Sequence, residues 1–459
     1  MIFSHDDETI IAQCTPRGSG ALAIIRLCGI SAIDVANQMS KLANMQPLNT
    51  VSSHTIHFGY VIDAHQQPID HVMFAVMHGP KTFTGQDTIE ITCHNNPFII
   101  QEIIVVAISL GARLAKEGEF TKRAVLNEKI DLTQAEAINE LIHANTQKVL
   151  KKSLAQLEGS FSSWITKVEK NLIKALAFSE ASFEFIDEEM TFGSQIKELI
   201  ESTITTITAI KKTFDQHIQI RQGIRIAIIG SVNAGKSSLF NALLNKERAI
   251  VTHIAGTTRD AIEGGVYKNE TYWTLIDTAG LRQTEDIIEQ EGIGRSYKEA
   301  QQADVILLVF DGSRTLSNKE IMVYEELLQN YESKVIIVHN KADLPGIENL
   351  VFGTKSIIKV SSQDKTNIEL IEQAIELKIK LLLEKIESPF LLNQRQFNLL
   401  LGLENKLQLI DSITSETPIA YELLSIQLND ALAHLSELTG KSISEQGMDA
   451  VFKEFCVGK

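Results

Sequence analysis

Residues 224–244 read IRIAIIGSVNAGKSSLFNALL and join three patterns. The apolar run IRIAII is typical of a buried strand, GSVNAG is a glycine-rich loop, and KSSLFNALL has helical spacing. Gly230, Gly235, Lys236 and Ser237 match GxxxxGK[ST], and the strand before the motif and the helix after it argue against a chance match. The stretch predicts a loop that binds phosphate groups through backbone N–H groups and Lys236, with magnesium on the Ser237 hydroxyl.

Strand and helix patterns continue to alternate beyond this loop. The runs WTLIDTAG, DVILLVFDGS, KVIIVHNKAD and SIIKVSS follow one another, and each contains a short apolar segment typical of a strand. This alternation predicts a Ras-like α/β domain built around the phosphate-binding loop.

The sequence NKAD at the end of the third run selects the base. Asp343 can accept both N–H groups on the Watson–Crick edge of guanine, whereas adenine would place an acceptor against this carboxylate. Asn340 and Lys341 fix the loop, so GTP rather than ATP is the expected ligand. Asp277 in DTAG stands where a magnesium-associated carboxylate belongs, and Gly280 offers an amide to the γ-phosphate.

A second loop beside the base usually reads Ser-Ala-Lys in GTP-binding proteins. This chain has SSQ there, and its residues are assigned by position. The motifs together predict GTP contacts from Asn233, Ala234, Gly235, Lys236, Ser237, Ser238, Asp277, Thr278, Ala279, Gly280, Asn340, Lys341, Asp343, Ser361, Ser362 and Gln363.

Several groups in the sequence are candidates for positioning the attacking water. Ras-like switches carry a Gln after the Gly of DTAG, and this chain has Leu281, which cannot hydrogen-bond. The segment LRQTEDIIEQEGI offers Arg282, Glu289 and further acids, among which the local sequence does not choose. An arginine supplied in trans or a cation held in the loops would stabilise the developing charge, and Asn233 is a suitable cation ligand.

The rest of the chain divides by periodicity. The N-terminal part alternates short apolar runs, such as ALAIIRL and TIEITCH, with turns, which predicts an α+β domain. Helical spacing runs from about residue 131 to 217 and returns after about 384, so the α/β domain is expected to be inserted in an all-α helical domain. The predicted domains are 1–120 (α+β), 121–222 and 383–459 (two parts of the helical domain) and 223–382 (the GTPase domain).

Composition limits the functional classes. The chain has 459 residues and a formal net charge of −15, which disfavours broad binding to nucleic acid because phosphate contacts require surface Lys and Arg. Six lysines between residues 148 and 174 form a basic run, for which a solvated helix face is the more ordinary interpretation. The N-terminus lacks the basic residues of a signal peptide and no long apolar segment occurs, so a cytoplasmic protein without membrane contact is expected.

The four cysteines are scattered along the sequence. Cys14, Cys28, Cys93 and Cys456 form no CxxC pair, which argues against a zinc site or a disulfide framework. A lone Cys near a terminus is usually a small hydrophobe.

Arg26 lies inside the apolar run AIIRL and needs an anionic partner, either an acidic side chain or a ligand. The preceding GSGALA resembles a dinucleotide-binding motif but comes before a strand, which indicates a tight turn.

Several stretches together resemble the MnmE (TrmE) family of tRNA-modification GTPases. They are NAGKSSLFNALL, HIAGTTRD, DTAGLR and the terminal FCVGK, with TPRGSGALAIIRL and GEFTKRAVLNEKIDLTQAEA upstream, and they span essentially the whole chain. The resemblance implies a homodimer held by the N-terminal domains, with GTPase domains that pair across the dimer when potassium and GTP are bound. It also implies an N-terminal domain similar to tetrahydrofolate-binding domains, which holds a folate one-carbon carrier.

The same resemblance assigns residues by motif position. The loop THIAGTT adds GTP contacts from Thr252, Ile254, Ala255, Gly256, Thr257 and Thr258. Potassium would be held by Asn233, Thr252, Ile254 and Thr257, and magnesium by Ser237 and Thr258. Glu289 would help to orient the hydrolytic water, with Arg282 as a further catalytic candidate. Folate contacts would come from Arg26, Glu90, Lys129 and Lys459, and Cys456 would be a candidate thiol for the modification chemistry, activated by Lys459 or Lys453.

Two departures from the family pattern affect these assignments. Val232 stands where a Pro commonly precedes the Asn, which bears on potassium affinity. The sequence His94-Asn95-Asn96 replaces His-Gly-Gly after the TIEITC strand, which bears on the turn and on the folate contacts.

The resemblance implies a potassium-activated GTPase that works with an FAD-binding partner of the MnmG (GidA) family, in a heterotetramer or larger assembly. The product would be an aminomethyl or carboxymethylaminomethyl group on C5 of the wobble uridine of certain tRNAs, with the one-carbon unit taken from a tetrahydrofolate derivative. The alternative is a GTP-controlled assembly switch, such as a ribosome-biogenesis GTPase, which has no use for a folate pocket. A GTPase scaffold with a vestigial one-carbon site is a third possibility.

Overall fold

The computed structural model describes residues 8–18, 20–184, 192–212, 214, 224–244, 262–268, 271–277, 297–346, 356–384, 389–453, 455 and 458. The chain forms two compact units. The first comprises Met1–Asn139, Ala155–Thr205 and Asn398–Lys459, and the second comprises Glu140–Leu154 and Thr206–Phe397. The chain leaves the first unit twice, and the longer excursion, Thr206–Phe397, carries the α/β sheet and then returns to the first unit. The predicted insertion of an α/β domain is therefore confirmed, while the exact domain boundaries stay predictions.

The N-terminal part of the first unit contains a mixed sheet. Within its described residues the strands are β1 Ile10–Gln13, β2 Leu22–Cys28, β3 Ser40–Leu42, β4 Thr55–Ile62, β5 Pro68–Met77, β6 Thr88–His94 and β7 Arg113–Leu114, in the order β3-β4-β5-β6-β2-β1-β7. Helices α1 Ala32–Gln38, α2 Pro97–Ser109 and α3 Glu119–Leu126 accompany it. Ala23, Ile25 and Leu27 alternate along β2 and lie in the apolar core, so the period of two places the intervening Arg26 on the opposite face.

Helical structure follows, as the periodicity predicts. Helices α4 Leu132–Ile142, α5 Gln147–Leu157, α6 Ser160–Glu184 and α7 Gly193–Lys211 are present. None of the described helices is both long and apolar enough to cross a membrane.

The second unit is built on a six-stranded sheet in its described residues. The strands are β8 Ile224–Gly230, β9 Ile262–Lys268, β10 Thr271–Asp277, β11 Val305–Asp311, β12 Val335–Asn340 and β13 Ile357–Lys359, in the order β13-β12-β11-β8-β10-β9. The β9–β10 pair is antiparallel and the other pairs are parallel. Helices α8 Lys236–Leu244, α9 Asn318–Tyr331 and α10 Ile368–Glu384 belong to this unit. Parallel strands present their carboxyl ends at one edge, where ligands bind in open α/β sheets.

The C-terminal helices return to the first unit. They are α11 Gln394–Thr414, α12 Tyr421–Thr439 and α13 Glu445–Phe452. The Ser179 hydroxyl on α6 donates to the Tyr421 carbonyl of α12 at 3.0 Å, and the Ser425 hydroxyl donates to Ser179 at 2.9 Å. Buried Phe452 and Phe455 pack with Leu132, so the two helical parts on either side of the insertion share one apolar cluster.

A buried ion-pair cluster stabilises the start of α3. Glu119 accepts from Arg113 at 2.7 and 2.9 Å, from Arg123 at 3.0 Å and from the Lys116 N–H at 2.8 Å. Burial opposes ionisation of Glu119, but the hydrogen bonds and charges of these partners outweigh it and lower the pKa of this carboxyl to about 2. The Glu119–Arg123 pair has helical i,i+4 spacing, whereas Arg113 reaches the cluster from β7.

Candidate functional site

The phosphate-binding motif forms a tight connection between β8 and α8. A Cβ at Gly230 would lie 2.1 Å from the Val309 carbonyl oxygen, so only glycine fits at the strand end. The backbone then turns through Asn233 at φ 62° and Gly235 at φ 87°. A Cβ at Gly235 would meet the Asn340 amide nitrogen at 2.1 Å. Both motif glycines are therefore required by close approach of neighbouring chain segments, as well as by backbone conformation at Gly235.

Lys236 lies over this loop. Its ammonium group donates to the carbonyl oxygens of Gly230 at 2.8 Å and Ser231 at 2.7 Å, and the residue is buried. Ser237 and Ser238 are exposed in the first turn of α8. An ammonium group, loop amides and a helix N-terminus thus converge, which is the donor set that a polyphosphate requires.

Asn340 joins three loops at the carboxyl edge of the sheet. Its amide nitrogen donates to the Ala234 carbonyl of the phosphate-binding loop at 2.8 Å. Its amide oxygen accepts from the Ser362 backbone N–H at 3.1 Å and hydroxyl at 2.7 Å. The prediction that Asn340 fixes the base loop agrees with this geometry, and the structure shows that Ser361 and Ser362 are buried beside it.

The base loop is held by a carboxylate that the sequence reasoning missed. Lys341 has a left-handed backbone at φ 61°, and its ammonium group lies 2.5 Å from an Asp311 carboxylate oxygen. Ser313 donates to the other Asp311 oxygen through its N–H at 3.0 Å and its hydroxyl at 2.6 Å. Burial alone would raise the pKa of Asp311, but the Lys341 and Ser313 hydrogen bonds lower it below its ordinary value. The side chains of Asp343 and Gln363 are exposed. The carboxylate of Asp343 is therefore accessible to a nucleotide base.

Asp277 ends strand β10 beside the phosphate-binding strand. Its Cα pairs with that of Ile228 in β8, two residues before Gly230. The strand end is thus next to the loop, as a magnesium-associated residue requires. The remaining predicted residues of this site lie outside the described residues: Thr252, Ile254, Ala255, Gly256, Thr257, Thr258, Thr278, Ala279, Gly280, Arg282 and Glu289.

The second candidate site lies on the N-terminal sheet. Arg26 and Glu90 are cross-strand neighbours in β2 and β6, and the guanidinium donates to one Glu90 oxygen at 2.7 and 2.9 Å. The Arg26 guanidinium carbon also lies 5.4 Å from the centre of the Phe120 ring. The anionic partner that burial of Arg26 demands is therefore Glu90, and both side chains remain about a quarter exposed, 22% and 27%.

The chain end and Lys129 contact two different segments of the N-terminal part of the first unit. The buried Gly458 lies against β1, since a Cβ there would be 2.4 Å from the Gln13 carbonyl oxygen. Lys129 is exposed and packs its side chain at Gly85, 3.0 Å from the position of a Cβ. Cys456 and Lys459 lie outside the described residues, but their described neighbours Phe455 and Gly458 are both buried.

Residues 94–96, where the family pattern has His-Gly-Gly, adopt a backbone that does not require glycine. Asn96 has an extended backbone, and its side chain accepts from the Phe98 N–H at 2.9 Å as the N-cap of α2. The Asn95 amide donates to the Gly18 carbonyl at 2.8 Å, which joins this segment to the residues before β2. His94 bonds to buried Asp70 at 2.8 Å. The described glycines of GSGALA, Gly18 and Gly20, precede strand β2, and the tight turn stays a prediction because Ser19 lies outside the described residues.

Comparisons with known proteins identify the family of this chain. The family profile of the GTP-binding protein TrmE N-terminus matches residues 9–129, and that of the MnmE helical domain matches residues 132–456. The tRNA modification GTPase MnmE of Aquifex aeolicus is 36% identical over 455 residues, 98% of this chain and 100% of that protein. The tRNA modification GTPase MnmE of Lachnoclostridium phytofermentans is 37% identical over 464 residues, 98% of this chain and 99% of that protein. The predicted resemblance is confirmed, and the chain belongs to the MnmE family of GTPases.

Proposed function

We propose that this protein is a potassium-activated GTPase that takes part in modifying the wobble uridine of certain tRNAs. The observation that carries the nucleotide part is the Asn340 side chain, which ties the phosphate-binding loop to both base loops. This connection sets the distance between the phosphate and guanine sites. The relatives named above are tRNA modification GTPases, which supports tRNA as the substrate.

Different residues would bind the phosphates, the base and the two cations. Lys236 and the amides at the start of α8 hold the phosphates, while Asp343 reads guanine. Ser237 would hold magnesium with Thr258, and Asn233 would hold potassium with Thr252, Ile254 and Thr257. Bound in this way, the two cations supply positive charge beside the β- and γ-phosphates. Asn233 fits such a role because its side chain is exposed on a loop held in a left-handed turn.

The N-terminal sheet supports a folate site. Arg26 and Glu90 form a partly exposed ion pair. Ala12, one residue before the Gln13 that Gly458 contacts, pairs with Arg26 in the sheet. The chain end therefore lies one strand from the pair. We assign Arg26, Glu90, Lys129 and Lys459 to a bound tetrahydrofolate derivative, which supplies the one-carbon unit, and Cys456 to the modification chemistry.

An exposed apolar face of the same sheet supports the homodimer. Ile56 is 69% exposed, Phe58 51% and Met73 46%. Phe58 pairs with Met73, and Ile56 pairs with Ala75, which pairs in turn with Glu90. Since directly paired residues share a face, the apolar residues and the Arg26–Glu90 pair lie on one side of the sheet. A second copy seated there would cover both the apolar surface and the proposed folate site.

The charge balance supports a division of labour with a partner. A net charge of −15 gives this chain little general attraction for tRNA phosphates. An FAD-binding subunit of the MnmG family would therefore supply much of the tRNA-binding surface in a heterotetramer or larger assembly. The GTPase cycle would open and close the paired GTPase domains.

Potassium dependence tests the hydrolytic mechanism. At equal ionic strength, GTP hydrolysis by the purified protein should be at least about tenfold faster in potassium chloride than in sodium chloride, because a fixed cation beside the phosphates stabilises the transition state. Asn233→Ala should remove most of this difference. Asn241→Ala, at an exposed position of α8, is the matched control and should keep it.

Equal hydrolysis rates in the two salts would contradict potassium activation. An unchanged potassium response in Asn233→Ala would contradict the assignment of that residue as a ligand. The first result would favour an activator in trans and a pure assembly switch.

A further inference from the structure

The start of the phosphate-binding loop is held by a tyrosine from α9. The Ser231 backbone N–H donates to the Tyr324 hydroxyl at 2.8 Å. That hydroxyl donates in turn to the Val309 carbonyl of β11 at 3.2 Å. Tyr324 is 2% exposed, so its hydroxyl bridges loop and sheet in a region from which water is largely excluded.

The two ends of the loop are therefore fixed by different side chains. Tyr324 holds Ser231 at the start of the loop, and Asn340 holds Ala234 near its end. The residues between them include Asn233, which has the left-handed backbone that Asn adopts more readily than most other residues. With both ends fixed, the intervening amides keep the orientation that a polyphosphate needs.

The loop start gains a second contact from the segment before α9. The Arg314 guanidinium donates to the Ser231 hydroxyl at 3.2 Å and pairs with Glu320. Glu320 also completes a capping box with Ser317 at the N-terminus of α9. The helix that carries Tyr324 is thus anchored to the same loop residue at its own beginning.

The Tyr324 contact is independent of the phosphate-binding lysine. Lys236 donates to the Gly230 and Ser231 carbonyls, and an ammonium group has three donors. Each donor that turns to a phosphate oxygen is withdrawn from those carbonyls. The Tyr324 hydroxyl holds the Ser231 N–H whether Lys236 faces the loop or the nucleotide.

We propose that Tyr324 is a positioning residue of the nucleotide site, which keeps the phosphate-binding loop in its binding conformation when Lys236 engages the phosphates. The inference rests on the proposed binding of guanine nucleotide. It assigns Tyr324 no contact with the nucleotide itself. Its effect is on nucleotide affinity, exerted through Ser231.

The test compares two tyrosine hydroxyls in the full-length protein. Tyr324→Phe removes the hydroxyl that holds Ser231. Tyr297→Phe is the matched control, because the Tyr297 hydroxyl also bonds to α9, at Glu326, and its ring packs against the same apolar cluster as Tyr324. The measurements are titration with fluorescent GDP, the kcat and KM of GTP hydrolysis, and the melting temperature with and without GDP.

We expect Tyr324→Phe to raise the dissociation constant for GDP about tenfold, the size of effect that one buried hydrogen bond supplies. KM should rise with it, and the stabilisation by saturating GDP should shrink. Tyr297→Phe should bind GDP as the unchanged protein does.

Two outcomes would overturn the inference. The first is unchanged GDP affinity in Tyr324→Phe, which together with a lower melting temperature would show a purely structural role. The second is equal weakening of GDP binding in both variants, which would show a general effect of the helix. Failure of the unsubstituted protein to bind GDP would instead contradict the proposed function itself.

Discussion

Asp343→Asn should lower the affinity for GTP by at least about 100-fold and create affinity for XTP. In the proposed site the carboxylate would accept from the N1–H and the 2-amino group of guanine, and an amide would place a donor against that amino group. Xanthine carries a carbonyl at C2, which the new amide donor satisfies. The loop itself should persist, because the Ala342 N–H still donates to the Val360 carbonyl at 3.0 Å and Lys341 still pairs with Asp311.

Competition of GDP and XDP against a fluorescent nucleotide measures this change in base preference. Asp364→Asn is the matched control, because Asp364 is an exposed carboxylate in the neighbouring loop. It should leave the preference for guanine intact. If Asp343→Asn kept the preference for GDP over XDP, the base would be read by another group.

Glu119→Gln should lower the free energy of unfolding of the first unit by about 3 kcal/mol at neutral pH. The substitution removes the carboxylate that buried Arg123 and partly buried Arg113 share, while Arg113 keeps its ion pair with the exposed Glu8. An effect of this size lowers the melting temperature by roughly 5 to 10 °C in a unit of this length. Glu117→Gln, at an exposed position two residues away, is the matched control and should change little.

The pH dependence of this effect has a definite sign. The pKa of Glu119 falls from its ordinary value of 4.5 to about 2 in the folded chain, so the carboxylate stabilises the fold above the unfolded pKa. That stabilisation is lost as the pH falls from about 4.5 towards 2. Calorimetry across this range should show the melting temperatures of the unsubstituted protein and Glu119→Gln converging. A constant difference down to pH 2 would contradict a role for the charge.

Local motifs allowed the phosphate-binding loop to be predicted. The phosphate-binding loop is defined by neighbours in sequence, so the roles of Gly230, Gly235 and Lys236 follow from spacing alone. Asp311 and Tyr324 were missed because their function depends on contacts across the sheet, with Lys341 and with Ser231. The signal for Asp311 was its position at the end of the buried strand VILLVFD, where a charged residue meets the ligand edge.

Contacts across the N-terminal sheet were likewise not predictable from local sequence patterns. Burial arguments required an anion for Arg26, but only strand register identifies Glu90, which lies 64 residues away. The short strands β1, β3 and β7 have two to four residues and were missed, because so few residues establish no period. The i,i+4 spacing of Glu119 and Arg123 was visible in the sequence, whereas Arg113 joins them through the fold.

One-carbon transfer to tRNA tests the central claim most directly. The purified chain would be mixed with the proposed FAD-binding partner, substrate tRNA, potassium, GTP and a methylene-tetrahydrofolate labelled in the one-carbon unit, and the tRNA nucleosides would then be separated. We expect label in the group attached to C5 of the wobble uridine, and this labelling should depend on both this chain and GTP hydrolysis. Equal labelling when this chain is omitted, or modification that takes its carbon from another source, would contradict the account.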